Sequence, residues 1–356
     1  MATESLDRAK ADAFAQTMLR HLNGAALALM CSVGHRTGLF DVMSKLPPST
    51  SDEIATAAGL NERYVREWLG AMVTGGIVEF DPTTKKSHLP AEHAASLTRS
   101  AGPNNISMTT QFIAVLGGVE DEVVEAFHHG RGVPYSSYKR FHECMAEESA
   151  QTVIAALFDH ILPLEPKLNE WLTQGASVAD IGCGSGKALI AMAQRYPRSR
   201  FIGFDLCEET VAAANRMVAE QSLTNVTFVQ RDVSQLGESE RFHLVTAFDA
   251  IHDQGQPAQV LANIRRALKP GGVFLMQDIA GSSHVHLNIP RPLAPFVYTI
   301  SCMHCMSVSL AQGGVGLGAA WGREKAEEML HEAGFKAVRI ETLEHDIMNE
   351  YYVAKK

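Results

Sequence analysis

The most constraining feature of this 356-residue chain is an apolar strand that runs into a glycine-rich turn and then into a helix. The segment VADIGCGSG (178–186) carries Gly182, Gly184 and Gly186, and KALIAMAQRY follows it with helical spacing. Glycines at the carboxyl end of a strand let a ligand approach the backbone, and α/β folds bind nucleotides at this edge of the sheet. A dinucleotide fingerprint would need glycine at the position of Lys187, so the spacing here is G-x-G-x-G. The feature predicts an α/β domain that binds a nucleoside; a plain strand–helix turn is the alternative.

Acidic residues stand at three successive predicted strand ends. Asp180 lies two residues before the first glycine, Asp205 closes RFIGFD, and Asp232 closes VTFVQRD. A carboxylate after the second strand can accept hydrogen bonds from both ribose hydroxyls, and one after the third could accept from the amine of an adenine. The three carboxylates suit a positively charged nucleoside better than a pyrophosphate, and the sequence has no P-loop. For Asp232 alone, a solvated strand end is the other interpretation.

Strands alternate with helices from about residue 171 onward, which predicts a parallel sheet covered on both faces. We expect strands at 177–181, 200–205, 226–230, 243–248, 273–278, 337–342 and 351–355, with helices beginning near Lys187, Glu209, Pro257 and Arg323.

The first hundred residues have a different pattern. Two short helices, 52–60 and 61–76, precede a predicted strand–turn–strand formed by 77–80 and 87–89. This order is typical of a winged helix. We therefore expect a winged-helix and dimerisation domain at 1–100, a helical connector lining the acceptor pocket at 101–170, and the α/β domain at 171–356.

Together, VADIGCGSG, FIGFD, QRDV and RRALKPGGVFLM resemble the ordered motifs of class I S-adenosylmethionine-dependent methyltransferases. The resemblance implies a Rossmann-like seven-stranded sheet whose last strand, near 350–355, is antiparallel. It also implies S-adenosyl-L-methionine as the cofactor. Asp180 and the glycines would then surround the methionine moiety, Asp205 the ribose, and Asp232 with Val233 the adenine. Leu206 and Phe248 complete the expected cofactor pocket.

The segment AFDAIHDQGQP (247–257) follows the fourth predicted strand, at the edge where an acceptor would meet the methyl group. Histidine titrates near neutrality, so His252 is the best candidate for a general base. With the winged helix, this pattern resembles plant-type small-molecule O-methyltransferases, which implies that His252 is the base and that Asp278 orients it. The chain departs from that family at Gln254 and in 290–306, so the acceptor class is not inherited. The alternative is a histidine that packs near the cofactor while transfer proceeds by proximity alone.

Two segments, VPYSSYKRFHECMAE (133–147) and HCMSVSLAQGGVGLGAAWG (304–322), resemble bacterial-type methyltransferases that carry a winged helix. They are expected to cover the acceptor, although each side chain could equally belong to the core. The candidate pocket residues are Tyr138, Phe141, His142, Met145, Tyr298, Met303, His304 and Met306. Trp321 is expected only to pack.

The six cysteines are spread over a long chain, so they predict reduced thiols rather than a disulfide framework. Cys302 and Cys305 form a lone C-x-x-C, which without a second pair predicts no metal site. The apolar run 24–34 is preceded by acids and is too short to span a membrane, so we expect a buried helix in a cytoplasmic protein.

The net charge of −9 argues against a protein built to hold nucleic acid or an anionic membrane. Residues 35–99 contain seven Lys or Arg against eight Asp or Glu, whereas a DNA reader usually shows a basic stripe. We therefore expect no nucleic-acid partner, a homodimer through the winged-helix region, and a methyltransferase that acts on a small-molecule acceptor through O, S or N. The alternative function is a winged-helix transcriptional regulator that senses S-adenosylmethionine.

Overall fold

Two units, divided between Val115 and Leu116, make up residues 6–356, the part of the chain that the computed structural model describes. The three-part division at 100 and 170 that the sequence indicates stays a prediction.

The first unit contains the predicted helix–helix–hairpin order. Thr50 and Glu53 cap helix α3 reciprocally, and the Asn61 side chain caps helix α4. The buried face of α4 consists of Val65, Trp68, Leu69 and Met72, and the two wing strands pair antiparallel. The α-helices and strands are α1 (Arg8–Thr37), α2 (Leu39–Met43), α3 (Ser51–Ala58), α4 (Glu62–Thr74), β1 (Glu79–Asp81), β2 (Lys86–His88), α5 (Ala91–Ala94), α6 (Ile106–Thr109) and α7 (Gln111–Gly117), the last of which reaches past the boundary.

Helix α1 corrects one expectation. The run 24–34 was expected to be a buried helix, but it is part of a 30-residue helix that is buried only near its carboxyl end, around Cys31 and His35. Within the run, Cys31 belongs to the core of the first unit and Leu27 and Met30 pack against that core, whereas Leu29 is exposed. One side of the run therefore faces the core of its own unit, and the other side does not.

A seven-stranded sheet forms the centre of the second unit, in the order β5-β4-β3-β6-β7-β9-β8. The first five strands of this order are parallel, and β9 runs antiparallel to both β7 and β8. The predicted seven strands and the antiparallel last strand are confirmed. The strands are β3 (Ser177–Ile181), β4 (Arg200–Asp205), β5 (Val226–Gln230), β6 (Phe242–Phe248), β7 (Leu268–Ile279), β8 (Ala337–Glu341) and β9 (Asn349–Lys355).

Two apolar cores lie on opposite faces of this sheet because successive side chains of a strand point to opposite sides. In β7, Val273 and Leu275 belong to one core, whereas Phe274 and Met276 belong to the other. This double burial is the physical reason that the central strands are nearly continuous apolar runs.

The α-helices of the second unit are α8 (Glu120–His129), α9 (Phe141–Ser149), α10 (Leu168–Gln174), α11 (Lys187–Arg195), α12 (Glu208–Glu220), α13 (Pro257–Ala267), α14 (Val285–Asn288), α15 (Ala294–Ile300), α16 (Met306–Ala311) and α17 (Gly322–Glu332). Ala150–Ile154, Leu157–Ile161 and Ser301–Cys305 are π-helical, and Tyr135–Ser137 and Val233–Gln235 are 3₁₀ turns. Among the described residues, the run Ala294–Ala311 is long and apolar enough to cross a membrane by length and composition, a property that core helices share.

Candidate active site

The glycine turn after β3 has the backbone that only glycine adopts easily. Gly182, Gly184 and Gly186 have φ values of 66°, 48° and 70°, in the left-handed region. A Cβ on Gly182 would lie 2.6 Å from the Ala250 side chain, whereas a Cβ on Gly184 would meet no atom within 4 Å. Gly184 therefore borders open space, and a ligand can approach the main chain there.

Asp180 lies at the carboxyl end of β3 and is almost completely buried. The Thr246 hydroxyl on β6 donates to its Oδ1 at 2.7 Å. Burial raises the pKa of Asp180 to about 7; the bond from Thr246 lowers it, and the neighbouring Asp205 raises it further. This carboxyl group therefore gains or loses its proton near neutrality, where a bound cation would favour its ionised form.

Asp205, at the end of β4, holds the glycine turn in place. Its Oδ2 accepts from the Gly184 amide at 2.8 Å, and its Oδ1 accepts from the Cys207 amide at 2.9 Å. A carboxylate offers about four acceptor positions. Asp205 can therefore accept further bonds from a ligand while it fixes the turn, a second role that the sequence pattern did not reveal.

The other residues expected around the cofactor follow β4, β5 and β6. Asp232 is exposed and caps the turn Val233–Gln235, with its Oδ1 accepting from the Ser234 amide at 2.9 Å. Val233 is buried, Leu206 is exposed, and Phe248 is half-buried at the end of β6. Because these strands are parallel, the set lies along one edge of the sheet; its role in binding stays a prediction.

The His252–Asp278 pair is built at the same edge. His252 follows β6 by four residues, Asp278 is near the end of β7, and the two strands are parallel neighbours. The His252 Nδ1–H donates to Asp278 Oδ1 at 2.7 Å, and both side chains are at most 2% exposed. The same oxygen accepts from the Trp321 indole and from the Ile279 amide, each at 2.8 Å. Trp321, expected only to pack, therefore also orients the carboxylate.

Three carboxylates surround the His252 imidazole. Nδ1 lies 3.9 Å from Asp249, and Nε2 lies 3.3 Å from Asp253. Burial lowers the pKa of His252, but Asp278 and Asp253 raise it by more, and the net shift is well upward. The arrangement therefore stabilises the imidazolium that forms when the ring accepts a proton.

Aromatic rings cluster beside this pair. His304 stacks on Phe141 with ring centroids 3.6 Å apart, and the Tyr138 ring meets His304 edge-on at 4.6 Å. Tyr135 contacts Phe141, His304 and His142, the last at 4.8 Å. The structure thus brings four predicted pocket residues together and adds Tyr135, whose position in a short 3₁₀ turn gives no periodic pattern.

The other four predicted pocket residues are not part of this cluster of aromatic rings. Met303 accepts the Tyr138 hydroxyl through its backbone carbonyl, and Met145 and Met306 are half-buried. Tyr298 lines a different, small cleft of about 30 Å³ near the end of β7, where its hydroxyl accepts from the Asn288 amide at 3.1 Å. Contact between these residues and the acceptor stays a prediction.

Comparison with known proteins identifies both parts of the chain. Residues 25–99 match an Rv2258c-like winged HTH domain, and residues 172–344 match a methyltransferase domain. The chain carries a winged-helix domain and a methyltransferase domain. The resemblance to class I S-adenosylmethionine-dependent methyltransferases is thereby confirmed.

Curated relatives match about a third of the chain. Trans-aconitate 2-methyltransferase of Deinococcus radiodurans is 33% identical over 109 residues, which are 31% of this chain and 40% of that protein. Ubiquinone biosynthesis O-methyltransferase of Leptothrix cholodnii is 30% identical over 121 residues, or 32% of this chain and 51% of that protein. The chain therefore spans about half or less of the length of these relatives.

Solved structures match over almost the whole chain. Human N-acetylserotonin methyltransferase, solved in complex with S-adenosylmethionine, has a TM-score of 0.67 at 16% identity and covers 99% of both chains. PigF, solved with S-adenosylhomocysteine, has a TM-score of 0.67 at 18% identity and covers 96% of this chain and 99% of its own. At these identities the likeness shows the fold.

Proposed function

We propose that this protein transfers a methyl group from S-adenosyl-L-methionine to a small-molecule acceptor. The observation that carries the proposal is that the glycine turn with its carboxylates and the buried His252–Asp278 pair share one edge of one sheet. A nucleoside-binding turn next to an oriented proton acceptor suits group transfer rather than binding alone.

The chain's residues fit this cofactor. Gly184 borders open space, and Asp180 and Asp205 place two carboxylates on either side of the turn. The cofactor is a cationic nucleoside, so carboxylates at this position attract it. When bound, it supplies a methyl group on a positively charged sulfur. Asp205 would then hold the ribose and Asp232 with Val233 the adenine, and the glycines, Leu206 and Phe248 would complete the pocket.

His252 would remove the proton of the acceptor. Its Nδ1–H is held by Asp278, which leaves Nε2 as the nitrogen that can receive a proton. Asp278 and Asp253 stabilise the resulting imidazolium. The acceptor atom, once deprotonated, is a stronger nucleophile toward the methyl carbon.

The acceptor would be a small, largely aromatic or apolar molecule. Tyr138, Phe141, His142 and His304 form a ring cluster, to whose wall Met145, Met303 and Met306 would add. Tyr298, which lines the separate cleft, would contact only an acceptor that extends that far. Polar groups are few among these side chains, which is typical of small-molecule pockets. Names such as ubiquinone biosynthesis O-methyltransferase support oxygen as the methylated atom.

A binding experiment followed by an acceptor screen tests the proposal. Calorimetry should show binding of S-adenosylmethionine and S-adenosylhomocysteine, and Asp205→Ala should weaken both. A screen of phenols, catechols, thiols and amines, with S-adenosylhomocysteine as the readout, should then identify an acceptor. His252→Gln should reduce turnover strongly, whereas His243→Gln, on β6 and away from Asp278, is the matched control. Failure to bind either nucleoside would refute the proposal.

We further propose a cytoplasmic homodimer that forms through α1. Phe14, Met18, Leu22, Leu29 and Val33 recur at intervals of four or seven residues and are 39% to 65% exposed, so they form one apolar face on α1. All six cysteines are free, which supports a reducing compartment.

The regulator alternative has weaker support. In α4, the helix that would read DNA, Arg63 pairs with Glu67, and Arg66 pairs with Glu62 at 3.3 Å. These arginines are therefore engaged with carboxylates of their own helix, which reduces the positive charge available for phosphates.

A further inference from the structure

A cluster of potential metal ligands lies next to His252. The imidazole of His252, the carboxylate of Asp253 and the thiol of Cys305 each offer one atom, and these three atoms lie within 4.8 Å of one another. The distance from His252 Nε2 to Asp253 Oδ1 is 3.3 Å. A tetrahedral zinc ion with N, O and S ligands holds its ligand atoms roughly 3.5 Å apart, so small side-chain movements would complete the site.

The cluster also contains buried polar atoms without a partner. Asp253 Oδ1 and both ring nitrogens of His304 have no hydrogen-bond partner among the described residues. His304 is 0% exposed, and its Nδ1 lies 3.9 Å from the Asp253 carboxylate. A buried imidazole with both nitrogens unpaired is rare and calls for an explanation, and a bound cation supplies one.

The outer contacts of the cluster resemble those of metal sites. A histidine that binds a metal through one nitrogen usually donates from the other to a carboxylate. His252 makes this contact with Asp278, which Trp321 holds from the other side. In addition, His304 and Cys305 are consecutive residues of the π-helical turn Ser301–Cys305, and such turns often occur at functional sites.

We infer that His252, Asp253, Cys305 and His304 form a binding site for Zn²⁺ or a chemically similar divalent metal. The donor set of two imidazoles, one carboxylate and one thiolate is typical of zinc. Asp253, whose side chain is 18% exposed, gives the ion its route from solvent. The site departs from the sequence expectation of no metal because its ligands come from two distant segments, and only Cys305 of the C-x-x-C takes part.

The ion would inhibit methyl transfer, and this part of the inference rests on the proposed function. A metal on His252 Nε2 occupies the nitrogen that would accept the acceptor's proton. Binding of the ion therefore competes with catalysis, and removal of the metal by a chelator restores it.

Metal titration of the full-length protein tests the site without any acceptor. Co²⁺ added to the chelator-treated protein should produce a thiolate-to-cobalt charge-transfer absorption at one equivalent, and Zn²⁺ should displace it. Cys305→Ser should abolish this absorption and weaken Zn²⁺ binding at least about tenfold, since loss of even an outer partner of a metal ligand typically costs about 10- to 100-fold. Cys302→Ser, which alters the other cysteine of the same turn, is the matched control and should behave like the unaltered protein. Equal Zn²⁺ affinity in the two serine variants, or no cobalt charge-transfer absorption, would overturn the inference.

Inhibition is measured separately. Micromolar Zn²⁺ should reduce turnover reversibly in the unaltered protein and in Cys302→Ser, whereas Cys305→Ser, compared with its own turnover in chelator, should lose sensitivity to Zn²⁺. Equal inhibition of all three proteins would show that zinc acts elsewhere and would overturn the inhibitory role. If no acceptor is turned over, the proposed function fails while the cobalt spectrum still decides the metal site.

Discussion

Replacing Asp180 with asparagine should make the protein more stable at neutral and alkaline pH. The ordinary pKa of an aspartate is 3.8, and burial raises that of Asp180 to about 7. Well below pH 3.8 the group is neutral in both the folded and the unfolded chain. As the pH rises toward 7, the unfolded chain ionises freely while the folded chain resists ionisation, so the folded state loses stability.

One pKa unit corresponds to about 1.4 kcal/mol, so the raised pKa of Asp180 lowers the free energy of unfolding by about 4 kcal/mol once the carboxyl group is ionised. Asparagine cannot ionise, and its amide oxygen can still accept the hydrogen bond from Thr246. The variant should therefore be close to the parent in stability at pH 4 and exceed it by up to about 4 kcal/mol at pH 8. For a unit of this size, that gain corresponds to roughly 10 °C in Tm.

Thermal unfolding at pH 4.5 and pH 8 checks this prediction, and each protein at pH 4.5 is its own reference. A stability difference that stays constant between the two pH values, or a variant that is less stable at pH 8, would refute the argument from burial. The same substitution should weaken binding of S-adenosylmethionine about 10- to 100-fold, because it removes a charge-assisted contact. Calorimetry at pH 6.5 in two buffers should show proton release by the parent protein and none by the variant.

Three further predictions follow from the contacts. Trp321→Phe, which deletes the bond to Asp278, should lower kcat about tenfold with the KM for the cofactor unchanged; an equal rise in KM would contradict its orienting role. In chemical denaturation, Gly186→Ala should lower the free energy of unfolding by about 2 kcal/mol or more, because its Cβ would lie 2.4 Å from a phenylalanine ring. Gly184→Ala, whose Cβ meets no atom within 4 Å, should lower it by less. Leu22→Asp should convert a dimer into a monomer in analytical ultracentrifugation, and a monomeric parent protein would contradict the role given to α1.

Much of the α/β domain follows from local sequence. The strands of the sheet are buried on both faces, so they are continuous apolar runs, and glycines mark the turn after β3 because the backbone there is left-handed. The position of Asp180, Asp205 and Asp232 at one edge of the sheet could be predicted because parallel strands end at the same edge. Their contacts with the cofactor stay a prediction. The wing was predicted within two residues.

Contacts between distant segments could not be predicted in this way. Trp321 donates to Asp278, which lies 43 positions earlier in the sequence, and no local pattern in the intervening residues indicates that the two side chains meet. Cys305 and His304 face the His252 region through a π-helical turn, which a 3.6-residue period does not represent. The sequence predicts a buried helix for the apolar run in α1, but only one side of the run packs on the core, because composition records hydrophobicity and not which surface covers it.

The position of β9 has a consequence for biosynthesis. Strand β7 lies between β6 and β9 in the sheet. The edge of β7 that pairs with β9 therefore stays unpaired until residues 349–355 have been synthesised. At a synthesis rate of about 5–20 residues per second, the interval between β7 and β9 lasts roughly 4–15 s. During this time β7 presents an unpaired edge on which another nascent chain could add. Changes to residues 349–355 should therefore affect the yield of soluble protein in the cell more than they affect the activity of the molecules that fold.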